Sequence, residues 1–275
     1  MSGQAASNGA SQAVGVPVME RYPQGQAQIF GEDPALYERF RPGYPRELME
    51  AVVADVAAGP VLEIGAGTGK ATRALLALGK RVHAIEPDAR MAAVLQVHCG
   101  QGLTQVDHAV LEHAQLSADH FPLAVAAQSW HWVDAASGYD VVADALQPNG
   151  RLALLWHHPL ERQGLLGEAI EQLYARLAPD MAGVWPGLKA IDFDPTAEPP
   201  SATRRFRSWS KQEHVWHRRL DAPGLVGWLC SSSDHRLLAV EQRAELMAAV
   251  AALVNQLGGQ VVVNMKTVAH LGHRV

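Results

Sequence analysis

Two kinds of hydrophobic pattern alternate along this chain. Short apolar runs at 61–64, 81–86, 103–106, 123–128 and 151–156 read as buried strands. Helical segments at 71–78, 89–97 and 138–146 lie between them. Two more helices precede the first strand. One begins at the cap-plus-proline pair Asp33-Pro34 and breaks at Arg41-Pro42-Gly43-Tyr44-Pro45. The other covers 46–57, with Leu48, Val52, Val53 and Val56 at helical spacing. Such alternation predicts an α/β fold, a doubly wound parallel sheet with right-handed crossovers. Pro148-Asn149-Gly150 reads as a turn before the fifth strand.

Beyond 160 the rhythm changes. A helix at 169–177 leads into a loop rich in Pro and Asp, and 161–211 reads as an insertion. It follows the fifth strand at the edge where open α/β sheets bind ligands, so it is expected to act as a lid or substrate-shaping segment. The region 212–275 completes the sheet. It is expected to hold a strand near 214–220, a short helix at 223–229, a long helix at 240–257 and a last strand at 260–271. The long helix carries Leu246, Val250, Leu253 and Val254 on one face, and Gly258-Gly259 stops it. Residues 33–160 form the expected ligand-binding half. Residues 1–18, rich in Gly, Ser, Gln and Ala, read as a disordered tail rather than a secretory signal. Residues 19–32 read as an N-terminal extension whose Tyr22 and Phe30 close over the site, in the same subunit or a neighbouring one.

The densest chemistry is Val61-Leu62-Glu63-Ile64-Gly65-Ala66-Gly67-Thr68-Gly69-Lys70, a strand running through a glycine turn into a helix. Glu86 ends the next apolar run, about 20 residues on, the span of one strand–helix–strand unit. A dinucleotide fingerprint would need glycine where Lys70 stands. A phosphate-cradling loop would need glycine at Ile64 and a hydroxyl at Ala71. Both phosphate readings fail at named positions, which also disfavours an NAD-dependent oxidoreductase. The remaining Glu-x-Gly-x-Gly-x-Gly resembles the first motif of class I S-adenosylmethionine-dependent methyltransferases.

Composition narrows the setting. The chain has 275 residues and a formal charge of −5, with no long basic run. Arg204, Arg205, Arg207, Arg218 and Arg219 cluster locally, as a solvated strand face would, so no nucleic-acid partner is expected. Cys99 and Cys230 are the only cysteines and stand far apart, which argues against a disulfide framework and for the cytoplasm. No apolar run has membrane-spanning length.

Further segments extend the resemblance in order. Tyr37-Glu38-Arg39-Phe40-Arg41-Pro42-Gly43-Tyr44-Pro45, Glu86-Pro87-Asp88-Ala89-Arg90-Met91, Ala127-Gln128-Ser129-Trp130-His131-Trp132 and Leu146-Gln147-Pro148-Asn149-Gly150 are similar to segments of methyltransferases related to trans-aconitate methyltransferase. The chain also looks like the actinomycete natural-product branch, which includes the terpenoid C-methyltransferase of teleocidin biosynthesis. The resemblance implies strand order 3-2-1-4-5-7-6 with an antiparallel last strand, and S-adenosylmethionine as cofactor, leaving as S-adenosylhomocysteine. It implies a cofactor set of Tyr37, Arg41, Glu63, Gly65, Ala66, Gly67, Thr68, Glu86, Pro87, Met91, Glu112, Gln128, Ser129 and Trp130. Tyr37 and Arg41 face the carboxylate end, Glu86 takes the ribose hydroxyls, and Gln128 lies near the methionine through its backbone. Two positions depart from the pattern. Val110-Leu111-Glu112 stands where relatives carry a polar residue near the adenine, with Asp107 as substitute only in a shifted alignment. Pro122 stands where relatives begin the fourth strand with Asp.

Methyl transfer needs alignment, exclusion of water and, for some acceptors, a base; it needs no metal. Trp130-His131-Trp132 and Trp156-His157-His158 fall at the carboxyl ends of neighbouring strands. Indole faces stabilise cations, and neutral histidine accepts protons near pH 7. His157, His131 and Tyr22 are the candidate catalytic residues. A wall of indoles suits a small or medium-sized, largely apolar natural-product acceptor, including a terpenoid alkene whose methylation starts a carbocation rearrangement or cyclisation. The alternatives are O-methylation of a small carboxylic acid and a non-catalytic cofactor-binding module. Assembly through the N-terminal extension is a further expectation.

Overall fold

The computed structural model describes residues 29, 31–160, 165–181, 193–195 and 197–275. The expected tail at 1–18 and Tyr22 and Phe30 of the extension lie outside the described residues, as does most of the Pro- and Asp-rich loop.

Helix α1 (Pro34–Phe40) starts where Asp33 accepts the Leu36 amide at 2.8 Å. Helix α2 (Arg46–Val53) ends four residues earlier than its apolar spacing suggests. Ala54 turns extended and Asp55 adopts φ 57°, so the chain leaves the helix while Val56 still packs on the core. There follow β1 (Val61–Ile64), α3 (Lys70–Ala77), β2 (Val82–Ile85), α4 (Ala89–Cys99), β3 (Leu103–Asp107), β4 (Phe121–Ala127) and α5 (Ala135–Ala145). Strand β5 (Leu146–Pro159) starts before the expected turn. Pro148–Gly150 forms an irregularity inside it: Leu146 faces Phe121, Arg151 faces Leu123, and Asn149 takes φ 60°. Pro122 sits in that same disturbed stretch of β4, where ladder pairing is interrupted.

The second half holds α6 (Leu165–Leu177), α7 (Pro200–Arg205), β6 (Phe206–Asp221), α8 (Ala222–Cys230), α9 (Ser233–Arg236), α10 (Val240–Gln256) and β7 (Gln260–Arg274). Gly258 and Gly259, at φ 98° and 82°, turn the chain from α10 into β7. Strand β6 is more than twice the length expected. Its alternation is obscured by charged side chains along the sheet edge.

The seven strands form one sheet in the order β3-β2-β1-β4-β5-β7-β6. β7 runs antiparallel to both neighbours and the other pairings are parallel, as the resemblance implies. The central strands are covered on both faces. Val61, Val82, Leu123 and Leu155 pack under α2, α3 and α4, while Leu62, Ala124 and Leu154 pack under α5. A third cluster joins α6, α8 and α10 to the β6–β7 ribbon. Arg204 and Arg205 end α7 rather than lying on a strand face, and they are not simply solvated: Arg204 pairs with Asp140 at 3.0 Å and Arg205 with Asp144, both on α5. No described helix is long and apolar enough to cross a membrane.

Strand order reverses between β1 and β4, so two loops part there and leave a crevice at their carboxyl ends.

Candidate active site

A cavity occupies that crevice, and its floor is the turn after β1. The Gly65 and Ala66 amides both donate to the Ile85 carbonyl, at 2.8 and 3.1 Å. Gly65, Gly67 and Gly69 have φ of 67°, 59° and 89°, a region side chains disfavour. A Cβ on Gly65 would stand 2.6 Å from Ser129 Cβ. A Cβ on Gly67 would meet nothing closer than Met91 Cε at 3.6 Å and Tyr37 Cε1 at 4.0 Å, two atoms of cavity-lining residues. At Gly67 the turn is thus bare backbone toward the cavity, which fits a ligand lying directly on the peptide there.

Two buried carboxylates flank it. Glu86 Oε2 accepts the Gly67 amide at 2.7 Å and Oε1 accepts the Asp88 amide at 2.9 Å. Burial raises its pKa, and those amide bonds counter part of the rise. Glu63 accepts the Thr72 hydroxyl at 2.7 Å, and burial pushes its pKa up to about 7. Asp88 caps α4 and pairs with Arg90 at 2.7 Å.

From β4, Gln128 turns into the crevice with φ 59° while its amide donates to Leu155. Ser129 donates its hydroxyl to the Ile64 carbonyl, tying the β4 loop to the glycine turn. Helix α1 closes one side with Tyr37, and Arg41 follows it, its guanidinium 5.5 Å from the Tyr37 ring centre. Lys70 donates to the Glu38 carbonyl, and Arg73 pairs with Glu38 at 2.8 Å, fastening α1 to α3.

Tyr37, Arg41, Glu63, Gly65, Ala66, Gly67, Glu86, Pro87, Met91, Glu112, Gln128, Ser129, His131 and His157 all line this one cavity. Thr68 is buried but does not line it. Trp130 turns away: its indole donates to Tyr139 at 3.1 Å, and Tyr139 in turn donates to Glu198. Trp156 also fills the core, stacked on Phe193. The aromatic wall is built instead from Trp132 and Tyr44. Asp107 is held by His83 at 2.8 Å and by Gln105, outside the cavity. Ala109, Val110 and Leu111 line the adjoining wall.

The two lining histidines are neutral. Burial, then the Arg41 charge, lowers the pKa of each to about 3. His131 Nδ1 accepts the Trp156 indole at 3.4 Å. His157 Nδ1 lies 2.8 Å from Thr267 Oγ1, which also accepts the Trp216 indole at 2.8 Å. The His157 ring stacks on Tyr44 at 4.6 Å, and burial holds the Tyr44 phenol protonated.

Sequence reasoning missed Ser232, Ser233 and Asp234, which reach the cavity from the loop between α8 and the start of α9. Their run of small polar residues resembles any helix start, and nothing local signals that it folds back onto the site. Among the described residues, no three His, Cys, Asp or Glu side chains gather as a metal set would.

Comparison with known proteins agrees with this geometry. A family model for a methyltransferase domain matches residues 62–152. An uncharacterized methyltransferase of Mycobacterium tuberculosis is 30% identical over 236 residues, spanning 83% of this chain and 89% of the relative. Another, from Schizosaccharomyces pombe, is 30% identical over 134 residues, 47% of this chain and 53% of that protein. A solved structure from Anaeromyxobacter dehalogenans, described as a candidate type II methyltransferase, shares the fold with a TM-score of 0.62. It is 22% identical and spans 85% of this chain and 98% of its own. A bare glycine turn between two acids, at the switch point of this sheet, thus coincides with near full-length similarity to a methyltransferase: the chain belongs to the class I S-adenosylmethionine-dependent methyltransferases, and S-adenosylmethionine is its cofactor.

Proposed function

We propose that this enzyme methylates a small or medium-sized, largely apolar acceptor, and that the acceptor atom is an alkene carbon of a terpenoid-type natural product. The observation that carries the reading is His157. Its Nε2 is buried without a hydrogen-bond partner among the described residues, on the cavity wall beside the Tyr44 ring. An imidazole with a pKa of about 3 is too weak to deprotonate an alcohol or an amine usefully. It is basic enough to take a proton from a carbocation. With Nδ1–H donating to Thr267, the Nε2 lone pair is left without a partner among the described residues.

S-adenosylmethionine supplies the electrophilic methyl group and the neutral thioether leaving group. The glycine turn and Glu86 hold the adenosyl part, Tyr37 and Arg41 the carboxylate end. Tyr44 and Trp132 exclude water and offer aromatic faces to positive charge on the acceptor.

A second reading is methyl-ester formation on a small carboxylic acid. Arg41 favours it, since a guanidinium in the cavity attracts a carboxylate and an ionised acid needs no base.

The test is mass spectrometry of reactions with prenyl alkenes and with alkyl carboxylic acids of matched length. A base-stable product one CH2 heavier, from alkenes alone, is expected. His157→Ala should slow its formation by about tenfold or more. A base-labile product from the acids alone would reject the alkene in favour of the ester.

A further inference from the structure

Tyr44 brings a hydroxyl as well as a ring to the cavity wall. It lies in the short link between α1 and α2, just before Pro45. Pro45 caps α2, and its carbonyl accepts the Met49 amide at 3.1 Å. A residue that precedes proline is held extended, so the backbone at Tyr44 has little freedom. The ring is held as well. It packs against the core cluster beneath α2 and stacks on the His157 ring at 4.6 Å, with 25° between the planes. His157 is in turn fixed by Thr267 at 2.8 Å and by the edge of Trp216 at 5.6 Å. Tyr44 therefore has its position before any ligand arrives.

Among the described residues the Tyr44 hydroxyl has no hydrogen-bond partner, and it is not shut away from the cavity either. Hydroxyls removed from water are nearly always bonded, so an open one on a pocket wall is a donor held for whatever fills the pocket. Other lining polar groups serve the protein itself. The Ser129 hydroxyl bonds the Ile64 carbonyl, Lys70 bonds the Glu38 carbonyl, and Glu63 bonds Thr72. Burial keeps the Tyr44 phenol protonated, so near neutral pH it donates. An anionic head on the acceptor would compete with the cofactor carboxylate for Arg41. An uncharged oxygen asks only for a donor.

We infer that the Tyr44 hydroxyl donates a hydrogen bond to an uncharged oxygen of the acceptor. The substrate class is then an oxygenated terpenoid-type alkene, an alcohol or a ketone, rather than a hydrocarbon or an acid. This rests on the reading of an alkene acceptor beside His157. Held at its oxygen and packed against Trp132, the acceptor keeps its alkene in one place relative to the methyl group. Tyr44 is thereby a specificity-determining residue. Its stack on His157 joins two groups that meet the acceptor into one unit.

Calorimetry on protein loaded with S-adenosylhomocysteine tests this with probes of one carbon skeleton: a monoterpene alcohol, the parent alkene without the oxygen, and the corresponding acid. The alcohol should bind the wild type about fivefold or more tighter than the parent alkene. Tyr44→Phe should remove that advantage, while the parent alkene and S-adenosylhomocysteine itself stay within about twofold. The wild-type comparison reads the contact from the ligand side if the variant folds poorly. Equal affinity of alcohol and alkene for the wild type, or an equal loss of both in Tyr44→Phe, would overturn the inference and leave the alkene reading intact. Loss of S-adenosylhomocysteine affinity in Tyr44→Phe, with the alcohol unaffected, would give the hydroxyl to the cofactor and overturn it too. Tighter binding of the acid than of the alcohol would overturn the choice of an uncharged oxygen. Binding of none of the three would overturn the alkene reading, and this inference with it.

Discussion

The Gly67 amide donates to Glu86 Oε2 at 2.7 Å, so the acid at the end of β2 holds the turn that follows β1. Its other oxygen accepts the Asp88 amide at 2.9 Å, which fixes the start of α4 as well. One buried carboxylate thereby joins two loops of the crevice. Glu86→Ala leaves both amides without this acceptor and removes the group assigned to the ribose hydroxyls. S-adenosylhomocysteine affinity is expected to fall by about tenfold or more, because hydrogen bonds to a charged group are worth about 1.5–3 kcal/mol. Calorimetry on wild type and variant checks it; retained affinity would remove Glu86 from the site.

Two glycines of the same turn should respond differently to alanine. At Gly65 the added methyl stands 2.6 Å from Ser129 Cβ, and Ser129 is tied to the Ile64 carbonyl and cannot easily retreat. Strain of about 1–3 kcal/mol is expected, read as a lower Tm without any ligand. At Gly67 the methyl meets only Met91 at 3.6 Å and Tyr37 at 4.0 Å. It should cost less stability than Gly65→Ala and obstruct the ligand instead. Thermal denaturation and S-adenosylhomocysteine titration of both variants separate the effects; an equal Tm loss in the two would contradict the geometry.

Acid should destabilise the fold through its buried histidines. His131, His157 and His235 have pKa values lowered to about 3, first by burial and then by Arg41, against 6.5 ordinarily. Between those values the unfolded chain binds more protons, so the stability these groups contribute is lost as pH falls from 6.5 toward 3. Glu63 acts in the opposite sense. Its pKa rises from 4.5 to about 7 on burial, so its contribution is present below 4.5 and lost as pH rises through 7. The stability of Glu63→Gln relative to wild type should therefore climb from pH 5 to pH 8. That of His157→Gln should climb as pH falls from 7 to 5. Denaturant melts across pH supply both differences, and a flat difference in either case would dismiss the corresponding burial argument.

Trp130 should matter for stability rather than for the cofactor. It is 1% exposed, and its indole bonds Tyr139 within the α5 side of the core. Trp130→Phe removes that bond and some packing, at a cost of about 1–3 kcal/mol. S-adenosylhomocysteine affinity of the folded variant should stay within about twofold. A large affinity loss at unchanged stability would return Trp130 to the ligand.

The contrast between Trp130 and Trp132 marks how far the sequence could be read. The strand period ends at Ala127, and Gln128 at φ 59° then re-aims the chain into a tight turn. Periodicity of neither kind applies there, so which indole faces the crevice was not legible. The edge strand β6 was underestimated for a related reason: charges protect an edge and erase the apolar alternation by which strands are recognised. By contrast, the bounds of β1 and β2 and the turn between them were read almost to the residue.

The sequence by itself determined the strand–turn–helix unit, its glycines and its second acid, because each depends on neighbours within one βαβ unit and on backbone sterics. The sheet order came with the resemblance, and the pairings bear it out. Only the tertiary structure decided the chemistry of the wall. His157 meets Thr267 across 110 residues, and Tyr174 meets His235 across 61. Burial, proton affinity and the return of Ser232–Asp234 to the crevice arise from packing between such distant segments, and no local pattern encodes them.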